Sequence, residues 1–323
     1  MAATADTNSP DGAESIQVQR RPPIPEAFRQ KSDLYGSWIA FKTLAPLVFA
    51  VLLIGFFFSE GFWTVVGATF VLGWAAYRTQ FLFHDASHMS LFTSRGVNDR
   101  VGGIAGLFVG IYFPRYRKIH FLHHKYNGLL EDPQLPDYLS ERQLSRTQYI
   151  KFILEPLVGW RVIPYLRRDM LEARVVSVEI PNPPKQWFAQ LIVTQIIILT
   201  ILTGFWSQPF FALSFYVGMA TISLFLARLR TLAEHQQVGT TYTDFSRTHP
   251  VSVIDNLFLH DANFSYHVEH HLYPAVQSRH YPAMFQQVTK PLHSTESLGK
   301  SMWRTLIQTY GRLPAASNRD STL

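Results

Sequence analysis

The sequence predicts an all-α integral membrane protein, with four transmembrane helices in two hairpins and a helical cytosolic cap. Three observations support this fold class. Apolar residues make up 47% of the 323 residues and charged residues 16%, whereas soluble globular proteins contain about 25% charged residues. Four long segments carry almost no charge, and the cations lie in the stretches between them. Nine of the 13 histidines form a pattern of three short clusters and one further residue.

The four apolar segments are each long enough to cross a bilayer, which takes about 20 predominantly apolar residues in a helix. The predicted spans are residues 38–58, 62–83, 187–206 and 210–227. Lys42 and Arg78 are the charged residues of the first two spans, and the last two spans contain none. Residues 101–113 are also apolar, but they are too few to cross and are rich in glycine. We therefore expect that segment to be re-entrant or buried.

The distribution of cations predicts the orientation. Residues 1–37 contain 4 Lys and Arg, residues 84–186 contain 14 and residues 228–323 contain 9, whereas the two hairpin tips contain none. Because cation-rich loops stay in the cytoplasm, both termini and the middle segment are predicted to be cytoplasmic. The net charge of +6 then suits a membrane surface, and nucleic acid is not an expected partner. A soluble all-α protein with very apolar core helices would not explain this segregation.

The domain organisation follows from the same pattern. Residues 1–34 are polar and contain several prolines, and we expect a flexible cytosolic tail there. Residues 35–309 form the predicted membrane-bound domain, and residues 310–323 a C-terminal tail. The absence of cysteine excludes a disulfide framework, a thiolate zinc site, an iron–sulfur cluster and a cysteine nucleophile.

The clustered histidines predict a metal site. Eight of these histidines lie in three five-residue boxes, and the ninth is His235. The boxes are His84-Asp85-Ala86-Ser87-His88, His120-Phe121-Leu122-His123-His124 and His267-Val268-Glu269-His270-His271. Helix residues three and four apart share a face, so each box can direct two or three imidazoles at one point. Because His84 ends the second span and His235 follows the last, the clusters collect on the cytoplasmic rim. Eight or nine ligands exceed the capacity of one ion and imply two metal ions.

The identity of the metal is less direct, because imidazole suits zinc, copper, nickel and iron. A zinc protease would need His-Glu-x-x-His, and Asp85 stands in place of that glutamate. A dinuclear site at a membrane surface, beside helices that can shelter a lipid chain, favours redox chemistry on a C–H bond. Iron is the metal that this chemistry favours.

These motifs resemble those of the membrane-bound fatty acid desaturase superfamily. The resemblance covers residues 38–290 and is carried by the three boxes and by two strings: residues 263–274, Asn-Phe-Ser-Tyr-His-Val-Glu-His-His-Leu-Tyr-Pro, and residues 230–235, Arg-Thr-Leu-Ala-Glu-His. Glu131-Asp132-Pro133 after the second box is similar to the family's acidic continuation. Gln134 stands where the family has a second Asp, and Asp132 is therefore left without an assigned role.

The resemblance implies the roles of individual residues. The implied iron ligands are His84, His88, His120, His123, His124, His235, His267, His270 and His271. Asn263 completes a coordination position, directly or through water, or else serves as a turn or cap residue. Asp85, Glu234 and Glu269 are candidates for orienting imidazole N–H groups, or are solvated surface acids. No catalytic residue is predicted beyond the metal centre. His260 does not fit the box spacing, and we expect His249, His280 and His293 to be ordinary surface residues.

The expected activity is that of an oxygen-dependent di-iron oxidoreductase acting on an unactivated C–H bond of a fatty acyl or related lipid chain. Desaturation is the leading reaction. Hydroxylation and oxidative decarboxylation to a terminal alkene, on a lipid, alkane or isoprenoid, are alternatives on the same scaffold. A metal transporter or sensor is the alternative from another class.

The expected reaction requires an external source of electrons. The chain has no Gly-x-Gly-x-x-Gly fingerprint, so a separate donor of ferredoxin, rubredoxin or cytochrome type is implied. Residues 84–186 contain 14 cations against 10 acids. That excess suits either an acidic donor or anionic lipid headgroups.

Overall fold

A computed structural model describes residues 21–57, 61–129, 131–138, 144–159, 178–206, 209–235, 245–250, 253–259, 262–295 and 297–314. The α-helices in these ranges are α1 (Asp33–Phe57), α2 (Phe62–Arg78), α3 (Gln80–Ser87), α4 (Arg95–Val109), α5 (Phe113–Tyr126), α6 (Leu135–Tyr138), α7 (Arg146–Leu154), α8 (Lys185–Trp206), α9 (Pro209–Gly218), α10 (Leu224–His235), α11 (Val253–Phe258), α12 (His267–Leu272), α13 (Tyr281–Met284) and α14 (Met302–Arg312). Over the described ranges there are isolated β-bridges and no strand, which confirms the all-α prediction.

Three described helical segments are long and apolar enough to cross a membrane: Asp33–Leu52, Lys185–Gly204 and Ala212–His235. The last of them joins α9, a π-helical turn at Met219–Ser223 and α10 into one continuous helix. This helix continues beyond residue 227, where the predicted span ends. His235 is therefore part of this long helix.

Helix α8 presents an apolar surface along much of its length. Ile192, Val193, Ile196 and Ile197 are each more than half exposed. A continuous apolar surface of this kind is unfavourable in water and suits contact with lipid or protein. It supports the expectation that α8 lies in a membrane.

The predicted span at residues 62–83 is divided into two helices. Helix α2 ends at Arg78 after 17 residues, and α3 begins at Gln80. Between them, the Thr79 hydroxyl donates to the carbonyl of Ala76 at 2.7 Å, a back-bond that bends helices. Because α2 is shorter than the roughly 20 residues that a span needs, the four-span arrangement stays a prediction.

Helix α2 packs closely against the helix that begins with α9. A Cβ added to Gly73 would lie 2.5 Å from the carbonyl oxygen of Gly218. Small residues allow helix backbones to approach each other in this way. The tight crossing places α3, which follows α2, beside α10.

The short apolar segment at residues 101–113 forms the second half of α4 and the start of α5. Helix α4 ends at Gly110, whose φ of +78° is a left-handed conformation that glycine adopts without strain. The side-chain amide of Gln195 donates to the carbonyls of Leu107 and Phe108 at 2.9 and 3.3 Å. Gln195 lies about 15 Å along α8 from its first residue, Lys185. The C-terminal end of α4 is therefore bonded to the middle of α8 and not to one of its ends.

Both predicted tails differ from the structure at their boundaries. Phe28, within the predicted flexible tail, is buried against Tyr266 and Tyr281. The backbone N–H of Ser32 donates to the Gln277 side chain at 2.8 Å. Residues 21–34 are thus attached to the cap, because they cover an apolar cluster there, and residues 1–20 lie outside the described ranges. At the other end, α14 continues to Arg312, across the predicted boundary at residue 310.

Candidate metal centre

Four helices bring the nine predicted histidine ligands together. His84 lies in α3 and His88 caps its end, His120, His123 and His124 lie in α5, His235 ends α10, and His267, His270 and His271 lie in α12. The spacing of three or four residues places the imidazoles of each helix on one face. Eight of the nine are buried, and His124 is partly exposed.

Five of these histidines form what we call the first site: His84, His88, His120, His124 and His270. One ring nitrogen from each lies within 4.8 Å of the others. The Nε2 atom of His124 lies 3.2 Å from Nε2 of His120 and 3.0 Å from Nε2 of His270. The three Nε2 atoms therefore converge on one point.

The other four histidines form the second site: His123, His235, His267 and His271. His123, His235 and His271 meet the same 4.8 Å limit, as do His235, His267 and the carboxylate of Glu234. The Nε2 atom of His267 lies 2.8 Å from that of His235 and 3.2 Å from that of His271. Helices α5 and α12 contribute to both sites, so the sites are adjacent.

The nitrogen spacing in both sites fits metal coordination. Two imidazoles bound at right angles to one ion, with bonds of about 2.0–2.1 Å, place their nitrogens about 2.9 Å apart. The Nε2 pairs of both sites lie 2.8 to 3.2 Å apart. In the described part of the chain, the buried Nε2 of His88 has no hydrogen-bond partner. Such a set of nitrogens is suited to cations.

Burial keeps these imidazoles in the neutral form that metal coordination requires. Removal from water, reinforced by the neighbouring positive charge of groups such as His123 and Arg117, lowers the pKa of His88 to about 3. The same causes lower the pKa of the other buried or partly buried site histidines outside the candidate spans well below the usual value: His84, His120, His124, His267, His270 and His271. Neutral imidazoles this close to one another offer lone pairs rather than protons.

Two second-site imidazoles are held by oxygen atoms on the side away from the cluster. His123 Nδ1 donates to the carboxylate of Asp132, at 2.9 Å to Oδ2. Tyr138 donates its hydroxyl to the same carboxylate, and the N–H of Gln134 does so at 2.8 Å. His235 Nδ1 donates to the carbonyl of Phe245 at 3.2 Å. These bonds fix the tautomer and direct Nε2 toward the second site.

Asp132 is the orienting residue that sequence reasoning left without a role. Its position in the Glu131-Asp132-Pro133 string was a usable signal, but the turn after α5 that folds it back onto His123 was not evident from spacing. Tyr138 and Tyr281 were also missed. The Tyr281 hydroxyl is hydrogen-bonded to Nδ1 of His270 at 3.3 Å, and the sequence around it contains no sign of this contact.

Two of the three predicted orienting carboxylates lie beside ligand histidines at longer distances. Asp85 Oδ1 is 3.5 Å from Nδ1 of His84. Glu234 Oε1 is 3.7 Å from Nδ1 of His267, and Arg230 lies 3.4 Å from the other oxygen of Glu234. All of these side chains are largely buried, so the carboxylates are not solvated surface acids.

Glu269 and Asn263 have surroundings that differ from the predicted ones. Glu269 accepts hydrogen bonds from Thr248, Thr289 and His293 at 2.5 to 2.8 Å, in place of the expected contact with a ligand imidazole. Asn263 has a φ of +62° and donates its amide to the carbonyl of Ser278 at 3.1 Å. This is the geometry of a turn residue, and the role of Asn263 as a ligand stays a prediction.

The predicted surface histidines are a mixed group. His249 is fully buried and contacts the Thr305 hydroxyl at 3.0 Å. The His293 side chain is 2% exposed beside Glu269. The surface prediction is wrong for both, because His249 packs against Thr305 of α14 and His293 packs against Glu269 of α12. His280 is half-buried and its Nε2 donates to the carbonyl of Gln30 at 3.1 Å, and His260 lies outside the described residues.

A cavity of about 120 Å³ adjoins both sites. Histidines of the first and second sites form part of its wall. The remaining lining residues are Gln80, Phe83, Tyr116, Gln134, Asp137, Ala227, Arg230, Thr231 and Glu234. Six of these nine residues are polar. The cavity thus places hydrogen-bonding groups close to the histidines.

Comparison with known proteins agrees with this geometry. Residues 60–294 match the family model described as fatty acid desaturase. The chain is also 24% identical over 303 residues to the sphingolipid delta(4)-desaturase DES1 of Drosophila melanogaster, covering 91% of this chain and 88% of the relative. The family match includes all nine histidines of the two sites.

Proposed function

Because the chain belongs to the fatty acid desaturase family and is a desaturase-like oxidoreductase, we propose that it desaturates a lipid chain with two iron ions and dioxygen. The observation that carries this proposal is the convergence of nine imidazoles into groups of five and four. Such groups are suited to holding ions, whereas a transporter needs polar groups in the middle of its spans. The family membership favours the enzyme over the transporter or sensor alternative.

The residues present fit two iron ions. His84, His88, His120, His124 and His270 would hold one ion, and His123, His235, His267 and His271 the other. Neutral imidazole suits iron as well as other transition metals, and a C–H bond without activating groups calls for a redox metal. When bound, the iron pair supplies the oxidising power for removing hydrogen from that bond. The contribution of the protein is to hold the ligands and to position the chain.

The proposed reaction is balanced by an external reductant. One dioxygen, two electrons and two protons combine with two hydrogens from adjacent carbons of the lipid, giving an alkene and two waters. The electrons come from a separate donor of ferredoxin, rubredoxin or cytochrome type. Hydroxylation would instead insert one oxygen atom, and oxidative decarboxylation would release carbon dioxide, so the products distinguish these alternatives.

We propose that the substrate is a lipid with hydroxyl or amide groups near the reacting carbons. The relative from Drosophila melanogaster is named for a sphingolipid, a lipid class that has such groups. The cavity beside the sites supports the same assignment, since Gln134, Asp137 and Thr231 line it. A tunnel for a plain hydrocarbon would be lined by apolar side chains.

The proposed location is a membrane, with both termini and the metal centre on the cytoplasmic side. The three apolar segments support membrane insertion. The cation-poor hairpin tips and the cation-rich intervening segments support the orientation. Proteolytic accessibility of tags at each terminus in sealed membrane vesicles would test it.

The central experiment is expression in a host of known lipid composition, with metal analysis of the purified enzyme and mass spectrometry of the lipids. We expect two irons per chain and products that are two mass units lighter, dependent on dioxygen and a reductant. A gain of 16 mass units would indicate hydroxylation instead. His270→Ala should abolish the products, and His280→Ala, at a half-buried histidine outside both sites, is the matched control.

A second experiment tests the polar lipid. Saturated sphingoid lipids and saturated fatty acyl lipids of equal chain length are supplied in parallel. We expect desaturation of the sphingoid lipid and a selective loss of that preference in Gln134→Leu. The exposed Gln287 provides the control Gln287→Leu. Equal turnover of both lipids by the unmodified enzyme would contradict the assignment.

A further inference from the structure

The aromatic side chain of Phe121 lies between the first site and the protein surface. Phe121 is 43% exposed, and its ring lies 5.5 Å from the ring of His88, measured between centroids. On α5, Lys118 precedes Phe121 by three residues and Lys125 follows it by four. The three side chains therefore lie on one face of the helix. We call this the Phe121 face.

Two further cations lie around the same histidine. Lys31 donates to the carbonyl of Met89 at 2.8 Å, and Arg117 donates to the carbonyl of Ala86 at 3.3 Å. These carbonyls are on either side of His88 in the chain. Arg117 is also bonded to Asp99. Lys31 and Arg117 thus add two cations close to His88 to the pair that flanks Phe121 on α5.

The cations on α5 itself are available to a partner. Among the described residues, no carboxylate lies within salt-bridge distance of Lys118 or Lys125. The Lys125 ammonium lies 4.7 Å from the ring of its neighbour Tyr126. An acidic surface approaching this face would meet unpaired positive charge at its edge and one apolar ring at its centre.

This arrangement fits a transient protein partner better than a lipid surface. Complexes that transfer electrons bury small interfaces and rely on complementary charge for fast association. The apolar surface of α8, by contrast, is a continuous row of aliphatic side chains. A lone exposed ring touching His88 offers little area for lipid, but it is a short connection between solvent and the first site.

We infer that the Phe121 face, with Lys31 and Arg117, is the docking surface for an acidic one-electron donor protein, and that Phe121 with His88 is the entry route for electrons. The inference rests on the proposed function, because that reaction consumes electrons from outside. Each docking oxidises the donor by one electron and reduces the metal pair by one. Two dockings supply the two electrons of one desaturation, and solvent supplies the two protons.

The test uses the iron-loaded enzyme in nanodiscs of zwitterionic lipid. Two probes serve as donors, a plant-type ferredoxin and the soluble haem domain of a microsomal cytochrome. Stopped-flow reoxidation measures the bimolecular rate constant, and thermophoresis measures donor affinity at several salt concentrations. For Lys118→Glu/Lys125→Glu we expect both association rate and affinity to fall about 10-fold or more. Lys151→Glu/Arg304→Glu, which reverses the same charge at exposed positions elsewhere, should match the unmodified enzyme.

Phe121 is tested separately from the charges. Phe121→Ala should leave donor affinity within about two-fold, because the cations remain, and should slow the electron-transfer step that follows binding. Phe121→Trp restores an aromatic ring and should restore that rate. An affinity loss in Phe121→Ala with no change in the transfer step would overturn the entry route.

A small-molecule reductant separates this inference from the proposed function. Reduced methyl viologen bypasses the docking surface, so the charge-reversed variant should desaturate lipid at the unmodified rate when it is supplied. No desaturation by the unmodified enzyme with any reductant would refute the proposed function itself. Donor affinity that is unchanged by charge reversal, or changed only in nanodiscs of anionic lipid, would overturn the docking surface. If charge reversal also slows the bypass reaction, the affinity measurement is made with Lys118→Ala/Lys125→Ala and decides the question.

Discussion

The two histidine sites differ in how their imidazoles are held and in their access to solvent. In the second site, His123 donates to a buried carboxylate and His235 donates to a backbone carbonyl. In the first site, the described contact of comparable kind is between His270 and the neutral hydroxyl of Tyr281, at 3.3 Å. The first site also contains the partly exposed His124 and the contact of His88 with Phe121.

This difference in hydrogen bonding and solvent access indicates distinct roles for the two sites, although both are built from histidine. A carboxylate that accepts the imidazole N–H raises the basicity of the ligand and fixes the orientation of its ring. The second site is therefore expected to bind its ion more tightly and to retain its geometry when empty. The first site is expected to exchange its ion more readily and to be the one that receives electrons.

Removal of one ligand from each site should have the largest effect. His270→Ala and His271→Ala lie next to each other on α12 but belong to different sites. Each should reduce turnover by more than about 100-fold, the upper range for loss of an orienting partner alone. Iron analysis should show one ion lost in each case. If either variant lost both ions, the sites would not be independent and the comparison would fail.

Removal of the carboxylate on His123 should have the next largest effect. Asp132→Asn replaces a charged acceptor by a neutral one, and we expect metal affinity at the second site to fall about 10-fold or more. Asp85→Asn is the matched change at the first site, where the carboxylate is 3.5 Å from His84. Its effect should be smaller. Competition with a chromogenic chelator measures both affinities, and equal losses would contradict the difference between the sites.

The predictable part of this centre was the part governed by helix geometry. The spacing within the three boxes predicted which imidazoles share a face, and the structure brings these eight together with His235. The orienting groups depend on tertiary contacts that spacing does not reveal. Asp132 reaches His123 through a turn after α5, whereas Glu269 lies inside a box and bonds to Thr248 and Thr289 instead.

The fold shows the same limit. Hydropathy predicted the segments that form α1, α8 and the helix ending at His235. It did not predict the break at Thr79, which depends on one hydroxyl bonding to the preceding turn. The buried positions of Phe28 and His249 were also missed, because each depends on contacts with a distant part of the chain.

Acid sensitivity can separate the scaffold from the metal sites. His249 belongs to neither histidine site. Burial together with nearby Arg247 lowers its pKa to about 3. Its unfolded pKa is about 6.5, so the unfolded state takes up this proton first as the pH falls. The contribution of His249 to the free energy of unfolding is therefore constant above pH 6.5. Below pH 6.5 it decreases by about 1.4 kcal/mol per pH unit, the value for one proton.

The measurement is the melting temperature of the iron-loaded enzyme between pH 7.5 and 5. His249→Gln keeps a polar group facing Thr305 but cannot take up the proton, so its melting temperature should fall less steeply with acid. His280→Gln changes a half-buried histidine whose pKa burial lowers less, and it should flatten the dependence less than His249→Gln does. Identical slopes for all three proteins would mean that acid acts through the metal sites and not through this part of the scaffold.

The smallest effect is expected from the hydroxyl that holds the first site. Burial raises the pKa of Tyr281, so its hydroxyl is neutral and its bond to His270 is worth about 1 kcal/mol. Tyr281→Phe should therefore weaken metal binding at the first site by about 5-fold, less than Asp132→Asn weakens it at the second. Tyr149→Phe removes a hydroxyl from another buried tyrosine and should leave both affinities unchanged. If Tyr281→Phe weakened metal binding more than Asp132→Asn does, the neutral hydroxyl would hold its imidazole more firmly than the Asp132 carboxylate does. The proposed order of metal affinity, with the second site binding more tightly, would then be reversed.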